Sequence, residues 1–179
     1  MKDRKLLNIE LGRLSADEYV HSRPESGVVL VLDNIRSAHN VGSAFRTADA
    51  FGVDKVYLGG ICPVPPSPEL RKVALGAEEV VPFEHVTDVV ALVERLKADG
   101  YTAVAVEQTV NSVKLDAFRR DPSARYALVF GNEVEGVQQA VVDACDFALE
   151  IPQHGTKHSL NVSVSVGVIL WHLRSRLLI

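Results

Sequence analysis

At 179 residues, with 47% hydrophobic side chains and a net charge of −4, the chain fits one globular domain and not a generally basic protein that coats nucleic acid. Its first twenty residues are charged throughout, and no window approaches the roughly 18 uncharged apolar residues that a membrane span needs. Cys62 and Cys145 lie too far apart for a metal pair or a CxxC redox motif, so a reducing, cytoplasmic setting is the simplest expectation.

Residues 1–26 read as a short helical arm, in which Ser15 and Glu18 of SADE have the capping-box spacing. The domain proper is expected over 27–179. VVLVLD (28–33) is a continuous apolar run, as in a strand covered on both faces. In NVGSAFRTADAFGV, Phe45, Ala48 and Phe51 share a helical face and Gly52 suits a C-cap; Asn40 is read as preceding the helix. KVYLGG (55–60) is a second strand. PVPPSP (63–68) is a rigid loop that leads into a short helix with Pro68 in its first turn. VVPFEH (80–85) is a short extended piece. TDVVALVERLKADG (87–100) is an amphipathic helix with Thr87 as N-cap and Gly100 as stop. Strands follow at 101–107 and 124–131, then a helix over 134–145 and a strand over 147–152.

The last segment poses a conflict. From Leu160 to Val168 apolar and small residues alternate, which by period alone predicts a half-buried strand. Yet the apolar sequence runs on through VILWHLRSRLLI without a turn signal.

Alternating apolar strands and helices predict an α/β fold, a mostly parallel sheet with helices on both faces. Ligands in such folds sit outside the carboxyl ends of the strands. Three polar loops fall there: 34–40, 131–136 and 152–161. GNEVEG (131–136) is either an ordinary turn, with Asn132 or Glu133 capping the next helix, or a cofactor loop in which Gly131 admits a close ligand. It has neither the GxGxxG nor the GxxxxGK[ST] spacing, which counts against an NAD-dependent oxidoreductase. Arg46 is either a solvated helix arginine or, with Asn40, part of a site rim. Arg36 and His39 add positive charge suited to an RNA backbone. His154 and His158 are four apart, but Gly155 intervenes and no third ligand is near, so no metal is expected.

Three blocks together resemble the SpoU (TrmH) branch of the SPOUT RNA methyltransferases. They are LDNIRSAHNVGSAFRTADAFGV with Asn40 and Arg46, ALVFGNEVEGV with Gly131, Asn132 and Glu133, and IPQHGTKHSLNVSVSVGVILW with Ser159, Leu160 and Asn161. The likeness covers about residues 28–175. It implies a homodimer that binds S-adenosylmethionine, methylates a ribose 2′-hydroxyl in RNA, and threads its C-terminal part into a trefoil knot. It also implies a helix from about Ser159. Physics accommodates that helix if it is buried on every side, with Ser163, Ser165 and Gly167 small enough for close backbone approach.

The resemblance assigns catalytic roles to Arg46, Asn40, Glu133, Ser159 and Asn161. Arg46 would stabilise the developing alkoxide, since a guanidinium stays protonated. Asn40 would orient it, and Glu133 is a candidate partner for its charge. Gly131, Ile151, Leu160 and Val106 would hold the adenosine through backbone groups, although Ile151 and Leu160 also suit plain core packing. Lys157 and His158 stand where many members carry other residues; with Arg36 and His39 they are the expected RNA contacts. With only the arm at 1–26 ahead of the domain, RNA is expected to be gripped by the dimer itself, which favours a compact tRNA over rRNA. A non-catalytic RNA-binding relative is the remaining alternative.

Overall fold

The computed structural model describes residues 3–22 and 25–174. The end of the predicted tail, residues 175–179, and four residues of the arm, 1, 2, 23 and 24, lie outside the described residues. In the arm, helix α1 (Ala16–Ser22) starts on the predicted capping box: the backbone N–H of Ser15 donates to Glu18 Oε2 at 2.9 Å.

Among the described residues seven strands form one parallel sheet: β1 (Val28–Asp33), β2 (Lys55–Gly59), β3 (Phe83–Val86), β4 (Tyr101–Val106), β5 (Val113–Lys114), β6 (Arg125–Phe130) and β7 (Phe147–Glu150). Their order is β3-β2-β1-β6-β4-β7-β5. The helices are α2 (Ala38–Ala50), α3 (Pro68–Ala74), α4 (Ala77–Val80), α5 (Val89–Ala98), α6 (Gln139–Ala144) and α7 (Val162–Arg174).

β1 shows why the central strands are apolar at every position. Val28, Leu30 and Leu32 pack on one side with Val41, Phe45, Leu70, Ile169 and Leu170, from α2, α3 and α7. Val29 and Val31 pack on the other with Val89, Leu92, Leu96 and Val141, from α5 and α6. The two-residue period of a strand thus feeds two cores, and no residue of β1 is left for water.

Several local expectations shift. Asn40 lies inside the first turn of α2, because Ser37 is the N-cap and accepts from its backbone N–H. α5 is capped by Asp88, not Thr87; the carboxylate accepts from Ala91 N–H at 2.9 Å. α6 begins at 139 and not 134, since residues 131–137 are held in a turn. Neither Asn132 nor Glu133 caps it.

The tail is a helix, as the resemblance implied, and the strand period is misleading. Asn161 caps it: its side-chain oxygen accepts from Ser163 N–H at 2.9 Å, and Ser165 Oγ donates to the Asn161 carbonyl four residues back. The expectation of burial on every side is not met within one chain. Val166, Ile169, Leu170 and Leu173 form a buried stripe against α2 and the sheet, but Val164 is 50% and Trp171 64% exposed. Gly167 faces open space, so its smallness serves no contact within the chain. The apolar alternation therefore reflects a helix with two apolar sides, of which the fold covers one.

Candidate cofactor and RNA site

The carboxyl ends of β4, β6 and β7 open into a cleft of about 970 Å³. Loop 131–137 forms one wall, and Gln153 with residues 158–162 another. Val106, Gly131, Ile151 and Leu160, the four expected cofactor residues, all line it, as do Glu133, Ser159, Asn161 and His158.

Gly131 is required by close packing. A Cβ on it would lie 2.0 Å from both Gly136 C and Val137 N, where ordinary contacts need about 3.5 Å. The turn between them is closed by two backbone hydrogen bonds, Asn132 N–H to Gly136 O and Gly136 N–H to Asn132 O, each 2.9 Å. Asn132 is buried and fastens the turn to the end of β1: its Nδ2 donates to Asn34 O at 2.7 Å, while its side-chain oxygen accepts from Val134 N–H at 2.8 Å. Asn34 holds a left-handed φ of 54°, with its side-chain Oδ1 accepting from Ile61 N–H at 3.2 Å.

Glu133 reaches across to the N-terminus of α2. Its carboxylate accepts from the backbone N–H groups of Arg36 and Ser37, both at 3.1 Å, and from Asn40 Nδ2 at 2.9 Å. Burial disfavours its charge, but the bonds from Asn40 and the backbone amides outweigh that and hold the carboxyl below its ordinary value. The helix dipole acts in the same sense. Asn40 Oδ1 in turn accepts from Asn161 Nδ2 at 3.1 Å. Asn40, Glu133 and Asn161, drawn from three distant segments, thus meet in one network at the cleft edge.

Arg46 stands apart. It is exposed on α2, has no hydrogen bond or ion pair among the described residues, and does not line the cleft of its own chain. Glu133 is spent on Asn40 and the α2 amides, so the expected Glu133–Arg46 pair is not formed. Arg36, His39 and Lys157 are exposed and outside the cleft lining. The backbone of Arg36 serves Glu133, and the carbonyl of His158 accepts from Gln108 Nε2 at 2.6 Å.

Two acidic residues escaped the sequence reading. Buried Asp33 accepts from Gln138 N–H at 3.0 Å and from its Nε2 at 2.9 Å. That occupies the start of α6. Glu107 follows β4 and lines the cleft; its place at a strand's carboxyl end was the available signal. Among the described residues no group of acidic, His and Cys side chains could hold a metal ion, and no helix is long and apolar enough to cross a membrane.

Comparison with known proteins adds the family. A family model described as the SpoU rRNA Methylase family matches residues 27–171. The 23S rRNA (guanosine-2′-O-)-methyltransferase RlmB of Pseudomonas putida is 32% identical over 160 residues, 89% of this chain and 63% of that one. The enzyme of the same name from Coxiella burnetii is 34% identical over 156 residues, 85% of this chain and 60% of that one. The chain therefore spans about three fifths of the length of these relatives. Among solved structures, an AdoMet-bound rRNA methyltransferase from Sinorhizobium meliloti superposes with a TM-score of 0.79 at 27% identity, over 87% of this chain and 58% of that one. A TrmH/SpoU tRNA modifying enzyme from A. aeolicus gives 0.78 at 27% identity, over 91% and 84%.

Proposed function

The chain belongs to the SpoU rRNA methylase family, and on that footing we propose that it transfers the methyl group of S-adenosylmethionine to a ribose 2′-hydroxyl of RNA. The observation that carries this reading is the convergence of Val106, Gly131, Ile151 and Leu160 on one cleft whose edge holds the Asn40–Glu133–Asn161 network. The cleft suits the cofactor chemically. Its lining carries Glu107, Glu133, Glu135 and Glu150 and no Lys or Arg, an environment for a sulfonium and an ammonium group. Gly131 and Gly136, packed closely together, both line the cleft, so the adenine would meet backbone there.

S-adenosylmethionine supplies an already activated methyl group. The chain's own task is to place a ribose oxygen in line with it and to stabilise negative charge on that oxygen. Arg46 is the residue for the second task, as a protonated guanidinium and not a base. Because it lies outside its own cleft, the reading includes a homodimer in which the partner's Arg46 completes each site. The exposed apolar side of α7, with Val164 and Trp171, supports such a partner. The trefoil knot belongs to the same reading: residues 151–161 pass beside loop 131–137 before α7 returns to α2. Arg36, His39, Lys157 and His158 are the proposed RNA contacts, with Ser159 beside the reacting groups.

The tRNA preference is not supported, because the relatives from Pseudomonas putida and Coxiella burnetii are named for 23S rRNA. rRNA becomes the first substrate to test, and the A. aeolicus enzyme keeps tRNA as the second. The test is methyl transfer from labelled cofactor to both RNAs, followed by nucleoside mass spectrometry. A 2′-O-methyl nucleoside is expected; label on a base, or affinity for NAD in place of S-adenosylmethionine, overturns the reading.

A further inference from the structure

We propose that Glu107 reads the ribose of the adenosyl ligand by accepting hydrogen bonds from its 2′- and 3′-hydroxyls. This deepens the S-adenosylmethionine reading of the cleft and rests on it. Glu107 is half-buried and lines the cleft beside Val106, Gly131 and Ile151. Its carboxylate is fixed from behind: Oε2 accepts from Val137 N–H at 3.0 Å and Oε1 from Gln108 N–H at 2.8 Å. Gly136, at φ +72°, packs so tightly on it that a Cβ there would stand 2.2 Å from Oε2. The side chain is therefore pre-positioned rather than free to follow solvent.

Two backbone amides use only part of its capacity. A carboxylate has about four acceptor sites and no donor. No Lys, Arg or His pairs with Glu107 among the described residues. A vicinal diol offers two donors at a spacing that one carboxylate can take. The rest of the cleft's acids are poorer candidates. Glu133 is committed to α2, and Glu150 to Ser112 and Lys114. Glu135 is exposed on the turn. In dinucleotide-binding sheets an Asp or Glu takes the ribose hydroxyl, and ligands of open parallel sheets sit at the strands' carboxyl ends, where Glu107 stands.

The experiment is calorimetric titration of the full chain with S-adenosylhomocysteine and with its 2′,3′-dideoxy analogue. Wild type is expected to bind the dideoxy analogue on the order of tenfold more weakly. In Glu107→Gln, S-adenosylhomocysteine is expected to weaken by a similar factor, and the ratio between the two ligands to fall to about twofold. A purely structural role would weaken both ligands alike and leave the ratio intact, which overturns the proposal. Equal affinities in wild type overturn it without any variant. Failure of wild type to bind either ligand would instead remove the cofactor reading on which it rests.

Discussion

Replacing Gly131 by Ala tests the cleft at its tightest point. The added Cβ would stand 2.0 Å from Gly136 C and Val137 N and 2.3 Å from Gly136 O. Relief to ordinary contact needs about 1.5 Å of movement. Both neighbours are backbone, so no side chain can swing aside. The turn must move, and with it Asn132, bonded to Asn34 O at 2.7 Å, and Glu133, bonded to the start of α2. Overpacking of this kind costs about 1–3 kcal/mol. At roughly 2–4 °C per kcal/mol for a chain of this size, Tm should fall by about 2–12 °C. Cofactor affinity should fall about tenfold or more, because the displaced backbone is the proposed adenine wall. Calorimetric titration with S-adenosylmethionine and a thermal melt measure both. Gly155→Ala is the control: a Cβ there meets nothing within 4 Å, and neither quantity should move. If Gly131→Ala binds the cofactor within about twofold and melts within about a degree of wild type, the close-packed cradle is not what shapes the site.

Arg46→Ala should lower methyl transfer by about a hundredfold or more, with Tm unchanged and cofactor affinity within a few-fold, since the side chain is exposed and outside its own cleft; a large loss of cofactor binding would show the residue to be misplaced. Glu133→Gln should loosen the turn from α2 and weaken the cofactor. The native carboxyl of Glu133 lies below its ordinary 4.5, so its contribution is complete above that value and is lost as pH falls through the lower native one. Cofactor affinity followed into acid should drop for wild type and stay flatter in Glu133→Gln; identical profiles would dismiss the role. Cys62 should resist iodoacetamide at pH 8 until the chain unfolds, because burial pushes its thiol up to about 11 and its sulfur is held between Ile35 N–H and Leu32 O. Stoichiometric labelling with the circular dichroism spectrum intact would contradict this.

The sheet was legible because its central strands are buried on both faces, which turns a two-residue period into an unbroken apolar run that local reading recognises. The tail shows the reverse case. Its alternation of Val and Ser passes for a strand until Asn161 is seen to cap Ser163, and only packing shows which apolar side is covered. The start of α6 differs for a tertiary reason: the helix predicted from 134 cannot begin there because Gly136 takes a positive φ, so that its peptide can lie on Gly131 and under Glu107. Glu107 itself was absorbed into the predicted strand 101–107, while its significance lies in what loop 131–137 places behind it. Arg46 was legible as a motif residue, yet its distance from its own cleft is a property of how α2 sits on the sheet, on which its sequence is silent.

The cleft edge is held by a few bonds between segments far apart in the chain. Glu133 binds Asn40 across 93 residues and Asn40 binds Asn161 across 121. Each such bond contributes only about 1 kcal/mol net, more where the carboxylate charge takes part. Their importance lies in what they join. Glu133 sits on the 131–137 turn, Asn161 caps α7, and Asn40 belongs to α2, the helix that carries Arg46. A ligand that settles against Gly131 must press on the turn whose next two residues anchor the start of β1's loop and of α2. On the proposed reading, cofactor binding and the aim of Arg46 would be coupled through one carboxylate. Loss of Asn40 should for that reason impair transfer more than binding, since it removes α2's bond to Asn161 and one of its three to Glu133 while leaving the proposed adenine wall in place.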